Sequence, residues 1–311
     1  MEDNKKYIGI IYNLNSSGLK DESIINDLTN VLKKKYNCVV IPMRSKYPGH
    51  ISVLAKNACS MCDILISIGG DGTFDQVIKG TYDTENNLTF IHLPMGTAND
   101  LGKTFMLTNN PVKNLKKILE GGVTTYDVLT INDIPYAYVA AFGFLTSVAS
   151  NTPSKWKRKI GKHAYILYGS REALKKPETY NIEYEVNNQK YNKDIIIGAI
   201  SNSMGFAGFE LYEDTKVNDG MFEVLLVPNI MKIEIAKVLA DVTVNKKLLT
   251  KSNKVLYYKT NEIKMKFSKP PTNNWNLDGE SSLIDDEDIT IKVGKQIKVM
   301  VTDEAYKAHF I

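Results

Sequence analysis

The residues best suited to phosphate chemistry form a glycine-rich segment in the first third of the chain. Gly69-Gly70-Asp71-Gly72-Thr73 follows an apolar run that ends at Ile68 and precedes a helical pattern. Glycines let backbone N–H groups approach phosphate oxygens, and a helix start adds further donors and a positive dipole end. Asp71 would repel a polyphosphate unless a cation, usually Mg²⁺, or an ordered water lies between them. A tight turn capped by Asp and Thr is the structural alternative.

A second loop of this kind follows the next predicted strand. Gly96-Thr97-Ala98-Asn99-Asp100 comes directly after Pro94-Met95. Ligands of open α/β sheets bind at the carboxyl ends of the strands, so both loops and the segment Asn13–Gly18 are expected to form one nucleotide crevice. An Asn/Asp helix cap explains the second loop equally well.

Spacing excludes two familiar nucleotide motifs. The stretch from Gly96 to Gly102-Lys103-Thr104 resembles a P-loop, but five residues separate its glycines where the motif has four. Gly70-Asp71-Gly72 begins a dinucleotide fingerprint whose third glycine would fall at Asp75. The histidines show no metal-ligand spacing, and three cysteines are too few for a disulfide framework.

Two Asp-Gly pairs in the second half lie at the edges of predicted strands. They are Asp219-Gly220, within Lys216–Phe222, and Asp278-Gly279, which Glu280 follows. Turn chemistry alone explains either pair. Their occurrence together with an Asp-containing phosphate loop favours a functional role.

The most basic segment surrounds one of the two tryptophans. Its members are Lys155, Trp156, Lys157, Arg158 and Lys159. Cations that flank an amphipathic ring suit an anionic membrane surface, whereas an exposed helix start is the competing interpretation. The hypothesis is peripheral contact with the inner face of a membrane.

The elements that position these residues change in character along the chain. Up to about residue 105, strand, loop and helix patterns alternate, as in a parallel α/β sheet, and the helix after Gly70 is predicted over Phe74–Lys79. After about Tyr126 strand-like runs dominate, interrupted by helical patterns at Gly161–Lys175 and Met231–Ala240, and the last two strands are predicted over Ile289–Val293 and Gln296–Val301. We expect an α/β domain over residues 1–126 and a β-sandwich domain over residues 127–302. A C-terminal tail, residues 303–311, is expected to return to the first domain.

Composition narrows the classes of function. The 39 Lys and Arg against 35 Asp and Glu give a net charge of +4, too mild to indicate a nucleic-acid partner. The first residues lack the apolar core of a signal peptide, which favours a cytoplasmic location. The uncharged stretch from Ile134 to Ser154 contains Pro, Gly and small polar residues, so it predicts a buried strand and a loop and argues against a membrane span.

Four motifs in this order resemble the bacterial soluble diacylglycerol kinases, which belong with the sphingosine and ceramide kinases. They are Gly69–Thr73, Pro94–Asp100, Asn218-Asp219-Gly220 and Asp278-Gly279-Glu280. The likeness spans nearly the whole chain. It implies a nucleotide-binding domain, a lipid-substrate domain and an active site between them. The implied activity is ATP-dependent phosphorylation of a lipid hydroxyl, with diacylglycerol converted to phosphatidic acid as the first expectation.

The resemblance also implies roles for individual residues. Glu280 would be the catalytic base that takes the proton from the lipid hydroxyl, and Asp71 the acid that organises Mg²⁺ and water at the phosphates. A second, structural Mg²⁺ site would comprise Lys216, Asp219 and Met221, with Lys216 and Met221 contributing backbone carbonyls. The residues expected to bind ATP are Asn13, Ser45, Gly69, Gly70, Asp71, Gly72, Thr73, Phe74, Asp75, Gln76, Gly96, Thr97, Asn99 and Asp100.

Departures from the family pattern keep two alternatives open. The loop from Asn13 to Gly18 loses a proline and gains a residue, and Phe74-Asp75-Gln76 replaces Leu-Asn-Glu. These changes put nucleotide affinity in question more than the class of reaction. An NAD kinase-like enzyme with a soluble substrate and a non-catalytic nucleotide- or membrane-binding relative are the alternatives, and a homodimer is also left open.

Overall fold

The chain divides into two compact units. The computed structural model describes residues 5–14, 19, 21–143, 178–243, 249–272 and 274–311. One unit comprises Met1–Asp127 together with Lys295–Ile311, and the other comprises Val128–Gly294. The second unit is therefore a continuous stretch of chain that interrupts the first. The sequence predicted domains with boundaries at residues 126 and 302, and those domains stay a prediction.

The first unit alternates strands with helices, as the repeated sequence pattern predicts. Its elements are β1 (Lys6–Tyr12), α1 (Ser23–Lys35), β2 (Cys38–Arg44), α2 (His50–Ala58), β3 (Ile64–Gly69), α3 (Asp71–Thr81), β4 (Thr89–Pro94), α4 (Asp100–Thr104) and α5 (Pro111–Glu120). Strands β2, β1, β3 and β4 lie side by side in that order and are all parallel.

The sheet of the first unit is covered on both faces, as a parallel sheet requires. All six residues of β3 are buried. On one face, α1 and α5 contribute to a core that includes Leu28, Leu32, Leu115 and Ile118. Helices α2 and α3 cross so closely that a Cβ on Gly80 would lie 2.3 Å from the carbonyl oxygen of Ser52.

The second unit consists mainly of antiparallel strands. They continue the chain as β5 (Gly122–Ile131), β6 (Ile134–Tyr136), β7 (Val139–Gly143), β8 (Tyr180–Val186), β9 (Gln189–Ser201), β10 (Gly205–Phe206), β11 (Phe209–Glu210), β12 (Phe222–Pro228), α6 (Lys232–Thr243), β13 (Leu256–Thr260), β14 (Glu262–Phe267), β15 (Trp275–Leu277), β16 (Glu280–Ser282), β17 (Asp288–Val301) and α7 (Asp303–His309). Strands β5 and β17 run from one unit into the other, and α7 belongs to the first unit.

The long strand β9 organises the second unit. Its first half pairs with β8, and its second half pairs with β7 on one side and β12 on the other. Strands β8 and β14 bury alternate residues, so one face of each meets the core and the other meets solvent. Phe142, Phe222, Phe267 and Trp275 lie in that core. The expected fold class, an α/β part followed by a β-sandwich part, is confirmed.

The observed elements differ from the predicted ones in three places. Helix α3 begins at Asp71, whereas the pattern predicted a start at Phe74, because Gly70 is extended and serves as the N-cap. Strand β17 is continuous where two strands were expected, since the ladder passes through Gly294 and Lys295. Helix α5 was not predicted, although Asn110 caps it and Pro111 begins it. The expected helix at Gly161–Lys175 lies outside the described residues.

The sequence argued against a membrane span and against a disulfide framework. Within the described ranges, no helix is both long and apolar enough to cross a bilayer. Cys38, Cys59 and Cys62 are all free thiols, as expected.

Candidate functional site

The predicted nucleotide-binding residues of the first unit follow the ends of parallel strands. Asn13 follows β1, Ser45 follows β2, Gly70 follows β3 and Gly96 follows β4 by two residues. The strands also end in register, since Tyr12 pairs with both Arg44 and Ile68, and Gly69 pairs with Pro94. These four segments therefore share one edge of the sheet, which we call the strand-end edge.

Two glycines bring the loops after β3 and β4 into backbone contact. A Cβ on Gly96 would lie 2.5 Å from Gly70 Cα and 2.9 Å from Asn99 Oδ1, and a Cβ on Gly70 would lie 3.3 Å from Gly96 Cα. The Met95 N–H donates to the Gly69 carbonyl at 2.6 Å. Only residues without side chains allow this approach, so the backbone itself forms the surface here.

Asp71 ties the glycine-rich segment to the start of α4. Its carboxylate is buried and accepts the N–H of Asp100 at 3.0 Å and that of Leu101 at 3.1 Å. A negative charge at a helix N-terminus is favourable, so this contact fixes the position of Asp71.

The loop after β4 is held by Asn99. This residue has a left-handed backbone, with φ 51°, and its side chain accepts the Gly96 N–H at 2.8 Å and donates to the Gly96 carbonyl at 3.0 Å. Asp100 is buried and forms an ion pair with Lys103 at 3.0 Å. Thr97 is exposed at the tip of this loop. Asn99 occupies the N-cap position of α4 but its side chain makes no cap hydrogen bond, because it is bound to Gly96; Asp71 accepts the first N–H groups of the helix, so the helix-cap alternative does not describe Asn99.

The first turns of α3 contain a buried charge. Asp75 is fully buried and its Oδ2 accepts from Lys79 Nζ at 2.7 Å. A Cβ on Gly69 would meet the hydroxyl of Thr73. Phe74 is buried and packs at a tilt against the ring of His92, 5.2 Å away. Burial lowers the pKa of His92 to about 3, so its imidazole is neutral at physiological pH.

Some of the remaining predicted residues of the first unit form hydrogen bonds that hold the fold together. The Ser45 N–H donates to the Tyr12 carbonyl at 2.8 Å, and the Ser45 side chain is buried. The Gln76 carbonyl accepts from Ser52 Oγ at 2.9 Å, which ties α3 to α2. Gly72 lies half-buried in the first turn of α3, and Asn13 is half-buried just beyond β1.

In the second unit, Asp278 and Gly279 form the tip of the hairpin between β15 and β16. Both have positive φ, 52° and 92°, as in a two-residue type I′ turn. The buried Asp278 carboxylate accepts the N–H groups of Ala137, Tyr138 and Val139. Glu280 begins β16, pairs with Leu277 across the hairpin and is exposed. The turn is anchored through Asp278, and the carboxylate that reaches solvent belongs to Glu280.

The predicted metal residues lie in the loop before β12, which we call the Asp219 loop (Lys216–Met221). Its one carboxylate belongs to Asp219, which accepts the Met221 N–H at 3.1 Å through Oδ1 and forms an ion pair with Lys259 at 2.6 Å through Oδ2. In the part of the chain that is described, no cluster of three or more His, Cys, Asp or Glu residues is arranged to hold a metal. Because the Asp219 carboxylate is already paired with Lys259, it does not suit a divalent ion. The structural Mg²⁺ site stays a prediction.

Two charged residues of this region, Glu223 and Lys259, were not among those predicted from the sequence. Glu223 lies in β12 opposite Lys259 of β13 and is 1% exposed. The pKa of Glu223 is raised to about 8, mainly by burial; the charge of Lys259 opposes this rise, and nearby Asp219 contributes to it. An acid inside the otherwise apolar run Phe222–Val227 is the sequence signal that identifies this position.

Two predictions fall on residues that the structure leaves undescribed. The basic segment Lys155–Lys159 and most of the loop Asn13–Gly18 lie outside the described residues. Membrane contact and the nucleotide contacts of that loop therefore stay predictions.

Comparison with known proteins identifies the family of this chain. Residues 7–131 match the family model of the diacylglycerol kinase catalytic domain. A diacylglycerol kinase of Staphylococcus saprophyticus is 32% identical over 219 residues, which are 70% of each chain. A diacylglycerol kinase of Staphylococcus aureus strain RF122 is 31% identical over 70% of this chain and 68% of its own.

Solved structures agree on the fold. A crystal structure described as a diacylglycerol kinase from Bacillus anthracis aligns with a TM-score of 0.77 and 21% identity, covering 96% of this chain and 98% of that one. A second, described as a candidate diacylglycerol kinase from the same organism, has a TM-score of 0.81 and 20% identity over 96% of both chains. The chain belongs to the diacylglycerol kinase family of lipid kinases, as its motifs predicted.

Proposed function

We propose that this protein transfers the γ-phosphate of ATP to a lipid hydroxyl, and that diacylglycerol is the acceptor. The observation that carries the proposal is the backbone contact between Gly70 and Gly96 at the strand-end edge, where added Cβ atoms would fill the space. Such an edge, with a helix start beside it, suits a polyphosphate. Bound Mg²⁺–ATP would supply the transferable phosphoryl group and the cation that neutralises its charge.

The residues of the chain then have distinct tasks. The N–H groups of the glycine-rich segment and the first turn of α3 bind phosphate oxygens. Asp71, held by the amides of Asp100 and Leu101, orients the water or cation at those oxygens. The exposed carboxylate of Glu280 accepts the proton of the acceptor hydroxyl. Phosphoryl transfer depends mainly on positioning and charge neutralisation, so no covalent intermediate on the protein is needed.

The acceptor is tested by incubating the protein with Mg²⁺, labelled ATP, a total lipid extract and NAD, followed by chromatography of the chloroform-extractable and aqueous products. Label in phosphatidic acid supports diacylglycerol as the acceptor. Label in another chloroform-extractable product keeps the lipid kinase and replaces the acceptor. Label in NAD would establish the soluble-substrate alternative, and ATP binding without any transfer would establish the non-catalytic one.

The base is tested by Glu280→Gln. Removing a general base should lower turnover at least ~100-fold while thermal stability and ATP binding stay unchanged. Glu287→Gln is the matched control, because Glu287 is also an exposed acid of the second unit. Near-normal turnover in the Glu280 variant would reject the assignment.

Contact with an anionic membrane is a separate part of the proposal. The basic side chains around Trp156 would each contribute on the order of 1 kcal/mol near anionic lipid. Changing Lys157, Arg158 and Lys159 to Ser should reduce sedimentation with anionic vesicles. Unchanged sedimentation would remove this part and leave the kinase proposal intact.

A further inference from the structure

Lys259 of β13 places a positive charge on the carboxylate of the Asp219 loop, where the family resemblance implies a metal ion. Asp219 Oδ2 and Lys259 Nζ are 2.6 Å apart, a short distance for a charge-assisted contact. The other carboxylate oxygen accepts the Met221 N–H at 3.1 Å. Both oxygens of this carboxylate therefore have a donor from the protein itself.

Strand pairing brings Lys259 to this place. In the antiparallel ladder of β12 and β13, Lys259 is opposite Glu223, and Phe222 is opposite Thr260. The turn that holds Asp219 leads directly into β12, so the ladder fixes both partners. The side chains of Lys259 and Asp219 are 30% and 17% exposed, which places the pair where water screens it less than at an open surface.

A divalent ion and this ammonium group compete for the same carboxylate. Mg²⁺ needs near-octahedral oxygen coordination and loses its water reluctantly, so it keeps several waters and binds through one or two carboxylates. The one carboxylate of this loop is already paired with Lys259, and a dication on it would lie close to that like charge. Mg²⁺ would have to displace Lys259 in order to bind.

We propose that Lys259 takes the place of a structural divalent cation at the Asp219 loop. Its ammonium group neutralises Asp219 and joins the loop to β13, so the folded second unit needs no metal there. This inference concerns the nucleotide-free protein and does not depend on the proposed kinase reaction.

The test is thermal unfolding of the full-length, nucleotide-free protein in EDTA and in millimolar MgCl₂. The unsubstituted protein should unfold at the same temperature in both. Lys259→Met should unfold at least about 2–4 °C lower in EDTA, the shift that the loss of roughly 1 kcal/mol produces in a chain of this size. MgCl₂ should restore most of that loss, and Lys259→Met/Asp219→Asn should show no such recovery.

Two controls separate this effect from the general loss of a lysine. Lys264→Met removes an exposed lysine of β14 that pairs with Glu262 at 3.2 Å, and it should not create any dependence on Mg²⁺. Lys259→Arg keeps the charge and should behave as the unsubstituted protein does. It also provides the test if Lys259→Met does not fold.

Several results would overturn the proposal. One is stabilisation of the unsubstituted protein by MgCl₂ that Asp219→Asn abolishes, which would establish the predicted metal site. Others are a Lys259→Met variant that unfolds as the unsubstituted protein does, or one whose loss MgCl₂ does not restore. Dependence on Mg²⁺ in Lys259→Arg would also contradict it.

Discussion

An aspartate of an Asp-Gly pair holds distant backbone in each unit, but the two regions use it differently. Asp71 accepts two N–H groups from the start of α4 and so joins neighbouring loops of one parallel sheet. Asp278 accepts three N–H groups of residues 137–139 and so fixes a hairpin tip to a distant segment. In the first unit the candidate surface is mainly backbone, whereas in the second it is the side chain of Glu280. In both pairs the aspartate holds backbone in place, and the groups next to it, backbone in one unit and Glu280 in the other, form the candidate surface.

The largest effect on stability is expected for Asp278→Ala. Three buried N–H groups would lose their acceptor, which should cost at least about 3 kcal/mol, since each unsatisfied buried group costs about 1–3 kcal/mol. Urea unfolding followed by the fluorescence of buried Trp275, in a Trp156→Phe background, measures it. The exposed Asp285→Ala is the control. A loss of less than 1 kcal/mol in the free energy of unfolding would show that Asp278 does not anchor the hairpin tip.

A smaller effect is expected for Gly96→Ala in the first unit. The added methyl group would meet Gly70 Cα at 2.5 Å and should cost about 1–3 kcal/mol through overpacking, with weaker nucleotide binding. Gly70→Ala should cost less, because its nearest contact is 3.3 Å. Gly122→Ala, where no atom lies within 4 Å, is the matched control. Thermal unfolding and titration with a fluorescent nucleotide measure both properties, and equal behaviour of the Gly96 and Gly122 variants would contradict the close contact.

The loss of stability expected for Asp71→Ala is smaller than that for Asp278→Ala. Two buried N–H groups would lose their acceptor, one fewer than for Asp278, so on the same scale the cost should be at least about 2 kcal/mol. Phosphate transfer should fall far more than stability, because Asp71 also acts at the phosphates in the proposed function. Thermal unfolding and the labelled-ATP assay on the same preparation separate the two effects. Full activity in this variant would leave Asp71 as an anchor only, like Asp278.

The sequence predicted the strand-end edge because its signals are local. Each strand of the parallel sheet is an apolar run, and each is followed within two residues by Gly or a small polar residue, so β1–β4 and their loops could be located without tertiary information. Helix α5 was missed because it is short and carries three lysines among its ten residues, so that buried Leu115 and Ile118 were not seen as a helical face. Strand β17 was split because Gly-Lys in its middle resembles a turn.

The contacts that define the site were not predictable from local pattern. The amides that hold Asp71 and Asp278 come from residues far away in the chain. Similarly, Lys259 reaches Asp219 through the register of two strands, which depends on the packing of the whole β-rich unit. The acids could thus be located from sequence, and their chemical roles stay predictions, while the partners that neutralise or orient them required the fold.

The passage of β17 between the units has a consequence for biosynthesis. Its last residues form the parallel pair with β4, Lys298 with Thr89 and Val299 with Phe90, although β4 is made much earlier. While the ribosome translates the inserted unit, the edge of the α/β sheet at β4 is not yet paired with β17. Exposed strand edges pair readily with other chains. Nascent protein should therefore be most prone to aggregation and proteolysis during this interval, and completion of the sheet should coincide with the emergence of β17.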